Sequence, residues 1–122
     1  MFMRKLILST LAITFLTLLV PVQVQAGSFK RIVTEQEFRS LVVGKRWQAG
    51  DNYFIMRKNG KISGEAGGEA VKGAWAWRDG FFCRTLSTHS KDTDCQVMSI
   101  SGSQVQIIRK RGKGETQTMT LK

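Results

Sequence analysis

From Trp47 to the C-terminus, glycine-bearing turn signals cut the strand-forming runs about every eight to twelve residues, which restricts the chain to short antiparallel strands. Tyr53-Phe54-Ile55-Met56-Arg57 is rich in strand formers, and Asn59-Gly60 follows where a tight hairpin turns. Lys61 to Gly64 returns, and Gly64 to Glu69 reads as a flexible connection. Val71, Gly73, Trp75 and Trp77 then alternate with Lys72, Ala74, Ala76 and Arg78, which predicts a strand with one heavy apolar face. Asp79-Gly80 is a second hairpin signal, followed by a strand from Phe81 to Leu86. A polar loop from Ser87 to Asp94 leads to a strand from Cys95 to Ile100. Ser101-Gly102-Ser103 turns the chain into Gln104 to Arg109, Lys110 to Gly114 turns it again, and Thr116 to Leu121 closes.

Only one segment reads as a helix. Gly27 to Val33 is a lead-in, Thr34-Glu35-Gln36-Glu37 fits a capping box, Phe38, Leu41 and Val42 recur at helical spacing, and Gly44 offers a stop. The expected fold is therefore mainly β: an antiparallel meander closing into a small barrel or sandwich behind one short N-terminal helix. An open sheet packed on that helix satisfies the same pattern, but closure would hide the edge strands.

The N-terminus has the three parts of a secretory signal: Arg4-Lys5, an apolar run from Leu6 to Val20, and Val24-Gln25-Ala26 before Gly27. Val24 and Ala26 stand where the peptidase pocket takes small side chains. The apolar run is shorter than the ~20 residues that span a bilayer, and Gly27 stands where a lipid anchor would need cysteine. Residues 1–26 are thus expected to be a cleaved signal peptide and residues 27–122 a single periplasmic or secreted domain with no transmembrane span after cleavage. Removing 26 of 122 residues leaves 96, and 19 cations less Arg4 and Lys5 leave 17 against 9 acids, a charge of +8.

Cys83 and Cys95, the only cysteines, both fall in the exported part, and an even pair in an oxidising compartment reads as a disulfide. Closing a loop of this length is worth about 3 kcal/mol, a large share of the stability of so small a domain. The spacing is not that of a C-x-x-C redox pair. On consecutive strands the bond would hold the Arg84–Asp94 loop in register.

No catalytic constellation emerges. His89, the only histidine, lies near Asp92 and Asp94, but one imidazole and two carboxylates around Lys91 read as a solvated loop, not as a metal site. There is no G-x-S-x-G. Glu65, Glu69 and Asp79 read as ordinary surface acids. Gly64-Glu65-Ala66-Gly67-Gly68 and Gly112-Lys113-Gly114 complete no nucleotide-binding motif and open no helix, so no cofactor is expected.

Charge is the strongest hint. Arg109, Lys110, Arg111 and Lys113 place four cations in five residues, and Lys45-Arg46 and Arg57-Lys58 add two pairs. On a hairpin tip the run would present a positive knob to lipid head groups or anionic glycans, although no nucleic-acid motif and no evident aromatic platform lies beside it. Trp75 and Trp77, facing one way on one strand, would pack a barrel core or line an aromatic cavity.

Gly73-Ala74-Trp75-Ala76-Trp77-Arg78-Asp79-Gly80-Phe81-Phe82-Cys83-Arg84, followed by Asp94-Cys95-Gln96, resembles a set of uncharacterised small exported bacterial proteins. These share G-x-W-x-W-x-D-G-[FY]-[FY]-C-R and then D-C-Q. The resemblance covers residues 40–115 and implies the same two-cysteine core. Some members carry the label dihydrodipicolinate reductase, an enzyme reading that the residues do not support. Such a reductase needs a dinucleotide-binding βαβ unit and a substrate domain, which 96 residues do not hold, and its activity is cytoplasmic. The expected function is that of an exported non-enzymatic module, associated with the envelope or binding a ligand. Protein recovered from the periplasmic fraction should have an intact mass beginning at Gly27, with two thiols that alkylate only after reduction. A full-length cytoplasmic species with two free thiols would overturn both expectations.

Overall fold

The computed structural model describes residues 18–19 and 28–122, so the proposed cleavage site and nearly all of the leader lie outside the described residues. The elements run β1 (Lys30–Arg31), α1 (Glu35–Leu41), β2 (Arg46–Ala49), β3 (Asn52–Met56), β4 (Lys61–Ala66), β5 (Glu69–Arg78), β6 (Phe81–Leu86), β7 (Ser90–Ser101), β8 (Gln104–Ile108), α2 (Arg109–Gly112) and β9 (Thr116–Leu121). Every strand pair is antiparallel. β2 pairs with β9, and β7 with β8, so the eight strands β2–β9 close into a barrel with β1 added on β7.

Closure depends on β7, which at 12 residues is the longest strand. Its first half pairs with β6, through Asp94 and Gln96, and its second half pairs with β8, from Val97 to Ser101. Two inward-facing glycines let the wall bend. A Cβ on Gly64 would collide with the Tyr53 carbonyl, and one on Gly73 with the Thr85 carbonyl and Leu86.

The helix plugs one end. Thr34 caps it by accepting the Glu37 amide at 3.2 Å, and its hydroxyl meets the Glu37 carboxylate. Phe38 is fully buried against Trp75, Trp77 and Phe82, with ring centroids 4.9, 5.1 and 5.3 Å away. The alternation read on β5 holds, with Val71 and Trp75 buried and Lys72 and Ala74 exposed. Cys83 and Cys95 stand directly opposite each other on β6 and β7 and form the disulfide.

Four local expectations change. Gly64–Glu69 is not a flexible connection: β4 runs to Ala66, β5 starts at Glu69, and Gly67-Gly68, both with positive φ, make a two-residue turn. Asn59-Gly60 is not a two-residue turn either, because the Arg57 amide bonds the Lys61 carbonyl and only Gly60 is left-handed, a three-residue loop with a bulge. The Ser87–Asp94 loop shrinks, since β7 already begins at Ser90. Its exposed strand residues are polar because they face water, and Thr85 and Thr93 join their hydroxyls at 2.7 Å. The lead-in contributes β1, paired through Lys30–Ile100 and Arg31–Ser99 and extended by the Ile32 amide on the Met98 carbonyl, a strand too short for any periodicity to mark.

Because Gly73 has no space for a Cβ, Gly73→Ala should destabilise the oxidised protein by about 1–3 kcal/mol in urea unfolding. Ala74→Ser, one residue on and facing solvent, should stay within about 0.5 kcal/mol of the parent.

Candidate functional site

The barrel is not filled to its far end. Beyond Trp47 and Phe82, whose rings lie 5.6 Å apart, a cavity of about 60 Å³ remains between Phe54, Met56, Ile62, Leu86, Ile107 and Met119. Arg84, Gln96 and Gln117 supply its polar wall. The residues expected to line an aromatic cavity do not do so. Trp75 and Trp77 lie against Phe38, with their indole N–H groups donating to the carbonyls of Arg57 (2.9 Å) and Val33 (3.0 Å). The cavity's indole belongs to Trp47.

Two polar atoms of the residues that line it have no partner among the described residues: the buried Trp47 Nε1 and the buried Gln96 Oε1. Orphaned buried groups of this kind are uncommon and costly, about 1–3 kcal/mol each. Arg84 adds a half-buried guanidinium that donates no hydrogen bond to any described residue. Burial foremost, then the nearby charge of Arg109, lowers its pKa, against the opposing pull of Asp94. An arginine remains protonated regardless, so the cavity wall is cationic.

Asp94 links this interior to the surface. It stands opposite Arg84 in the β6–β7 register, and one carboxylate oxygen accepts from Gln96 Nε2 (2.8 Å) and Arg109 Nε (3.0 Å). The other accepts the backbone amide of Lys110 at 3.0 Å. Burial pushes the Asp94 carboxyl up, but the hydrogen bonds from Gln96, Lys110 and Arg109, with the charge of Arg109, outweigh it and hold the pKa below the ordinary value. Asp94 is the one carboxylate near both Arg84 and Arg109 and is paired with Arg109, which leaves a net positive charge.

The basic run is therefore not a free hairpin knob. Arg109 is drawn back into an ion pair, while Lys110, Arg111 and Lys113 are exposed. The Asp94 bond to the Lys110 amide holds a turn in which Lys110 (φ 51°) and Arg111 (φ 56°) are left-handed, a conformation costing about 1–2 kcal/mol per non-glycine residue. The aromatic platform not evident in the sequence is Phe81. The guanidinium of Arg111 lies 4.5 Å from its ring centroid, and that of Arg31, from β1, lies 5.1 Å away. Neither makes an ion pair with a described residue, the only two such pairs being Arg39–Glu35 and Arg109–Asp94. Elsewhere, Gly44 bonds Met56 and Arg39 bonds Lys58, bringing Lys45-Arg46 beside Arg57-Lys58.

Sequence reasoning missed Trp47, Arg84 and Gln96, and Arg31 with Phe81. The signal for Arg84 was its alternation with Phe82 and Leu86, which places it on the inner face. Asp94 is committed to Arg109 and Lys110, while His89 turns its Nδ1 to Thr88 at 2.8 Å. No group of three potential metal ligands occurs among the described residues, and no described helix is long and apolar enough to cross a membrane. Among the described residues the antiparallel pairing forms no parallel βαβ crevice of the kind a dinucleotide enzyme uses.

The class that fold and site define is a small, eight-stranded antiparallel barrel with a cationic wall inside and an arginine-flanked aromatic ring outside. No protein-family model, no curated protein and no solved structure matches the chain.

Because its pKa is depressed in the folded state, Asp94 stabilises the protein fully above its unfolded pKa of about 3.9, and the contribution is lost as pH falls through the lower folded value. Asp94→Asn should lower the melting temperature at pH 7, and the gap from the parent should close as the pH is taken down through that window.

Proposed function

We propose that this chain is an exported, non-enzymatic binding module that docks on phosphate-bearing lipid head groups of the envelope through the face built by β1, β6, β7 and α2. The observation that carries the reading is the pair of guanidinium groups on Phe81, from Arg31 and Arg111. Arg111 donates to no described residue and Arg31 spends one Nη2 proton on the Gly80 carbonyl at 3.3 Å, so both keep N–H groups for a phosphate, which a guanidinium can bind through two parallel hydrogen bonds. Lys110 and Lys113 stand beside them on a turn whose left-handed backbone is anchored by Asp94. Strain of this sort, maintained by a part-buried carboxylate, concentrates at functional positions. The +8 charge of the exported part adds long-range attraction to an anionic surface.

Vesicle co-sedimentation tests the reading. The protein should bind vesicles containing anionic phospholipid and not purely zwitterionic ones, and should release as salt rises from 0.1 to 1 M and the Debye length falls from about 10 to about 3 Å. At about 1 kcal/mol per cation, Arg31→Ala with Arg111→Ala should weaken binding roughly thirtyfold. Equal binding to both vesicle types, or a double variant that binds like the parent, would refute lipid docking. Release by an anionic glycan far below the salt that releases it would assign the face to glycans.

A further inference from the structure

We infer that the interior cavity is a second, separate binding site, for a short-chain carboxylate that also carries a hydrogen-bond donor, of the 2-hydroxy acid type. Four observations converge on it. The cavity has about 60 Å³, and at ~10–15 Å³ for each water-sized centre this holds a molecule of about four to six heavy atoms. Its wall carries the Arg84 guanidinium, which donates to no described residue, while Asp94, opposite it on β7, is ion-paired to Arg109. An anion is therefore the species that neutralises it. Trp47 adds an N–H without an acceptor and Gln96 a carbonyl oxygen without a donor, both fully buried. Gln96 cannot turn its amide round to cure this, because its nitrogen is engaged by Asp94. Apart from the Gln117 amide, the remainder of the wall is apolar, with Met56, Ile62 and Ile107 among it.

Each feature excludes a competitor. A purely apolar guest would leave Arg84, Trp47 and Gln96 without partners. A halide has no proton for Gln96. Sulfate has no proton for Gln96, and a phosphate dianion exceeds the single net positive charge that Arg84, Arg109 and Asp94 leave. A small 2-hydroxy acid places its carboxylate on Arg84 and Trp47, its hydroxyl on Gln96 and its alkyl group on the aliphatic wall. The carboxylate–guanidinium contact is the charge-assisted one and supplies most of the selectivity.

The three tryptophans provide the readout. In ¹H–¹⁵N spectra the Trp75 and Trp77 indole N–H groups, bonded to Arg57 and Val33, serve as internal references. The Trp47 signal is identified by its loss in Trp47→Phe. Sodium lactate should shift the Trp47 signal saturably and leave the other two in place, whereas lactamide and sodium chloride at matched ionic strength should not. Arg84→Gln should weaken the response at least tenfold. Should that variant disturb the reference signals and so the fold, Gln96→Met with Arg84 intact should keep the response but lose the preference for lactate over propionate. Arg31→Ala with Arg111→Ala should leave the Trp47 response unchanged, which separates this site from the lipid face. A Trp47 signal unmoved by lactate, or moved equally by lactamide, would show that the cavity holds only water and overturn the inference.

Discussion

The barrel depends on the seam at β7. One strand pairs with β6 through Gln96 and with β8 from Val97 onward, so the change of partner falls between two adjacent residues. Were β7 to stop at either half, the sheet would be open and both its edges exposed, ready to pair with other chains. Two cross-links flank the seam from opposite faces. The disulfide ties Cys95 to Cys83 on β6, and the Asp94 carboxylate ties β7 to Arg109 and Lys110, just past the end of β8. Alternation along the strand sends the cysteine outward and its two neighbours inward.

That placement explains why interior and surface chemistry meet at one residue. Asp94 is a polar rim position of a barrel whose opposite end is sealed by Phe38 and the tryptophans of β5. The helix-side half of the interior is packed by aromatic rings, and the half beyond Phe82 is not. Arg84 and Gln96 face into that second half from paired strands, because a register that puts Phe82 opposite Gln96 also puts Arg84 opposite Asp94. A buried polar cluster of this kind stabilises little by itself, since each charge must first lose its water. Its presence in place of leucine or phenylalanine is the reason to read the cavity as a site, not as a packing fault.

Much of the fold was legible. Glycine-bearing turns, the capping box at Thr34 and the alternation from Val71 to Trp77 are local features, each set by a few adjacent residues, and the helix and the meander of strands follow from them, while the disulfide follows from the count of cysteines. Less could be read where the decisive partner is distant. β1 is two residues long and exists because Ser99 and Ile100 are there to pair with it. From sequence β7 reads only as Cys95–Ile100, because Ser90 to Asp94 is polar, which describes an exposed strand as well as a loop. The basic run at 109–113 was recognised as charge, but not that Asp94 would draw Arg109 away from it or that Phe81 would lie beneath Arg111.

By itself, then, the amino-acid sequence determined the class of element at most positions, the pairing of the two cysteines and the large positive charge, because these rest on near-neighbour geometry, on counting and on composition. Tertiary structure alone decided between barrel and open sheet, since closure is a contact between β7 and β8 on one side and β2 and β9 on the other. It also decided which tryptophan meets the cavity. Trp75 and Trp77 share the inner face of β5, but the helix lies over them, and only the curvature of the closed wall brings Trp47, Arg84 and Gln96 around one space.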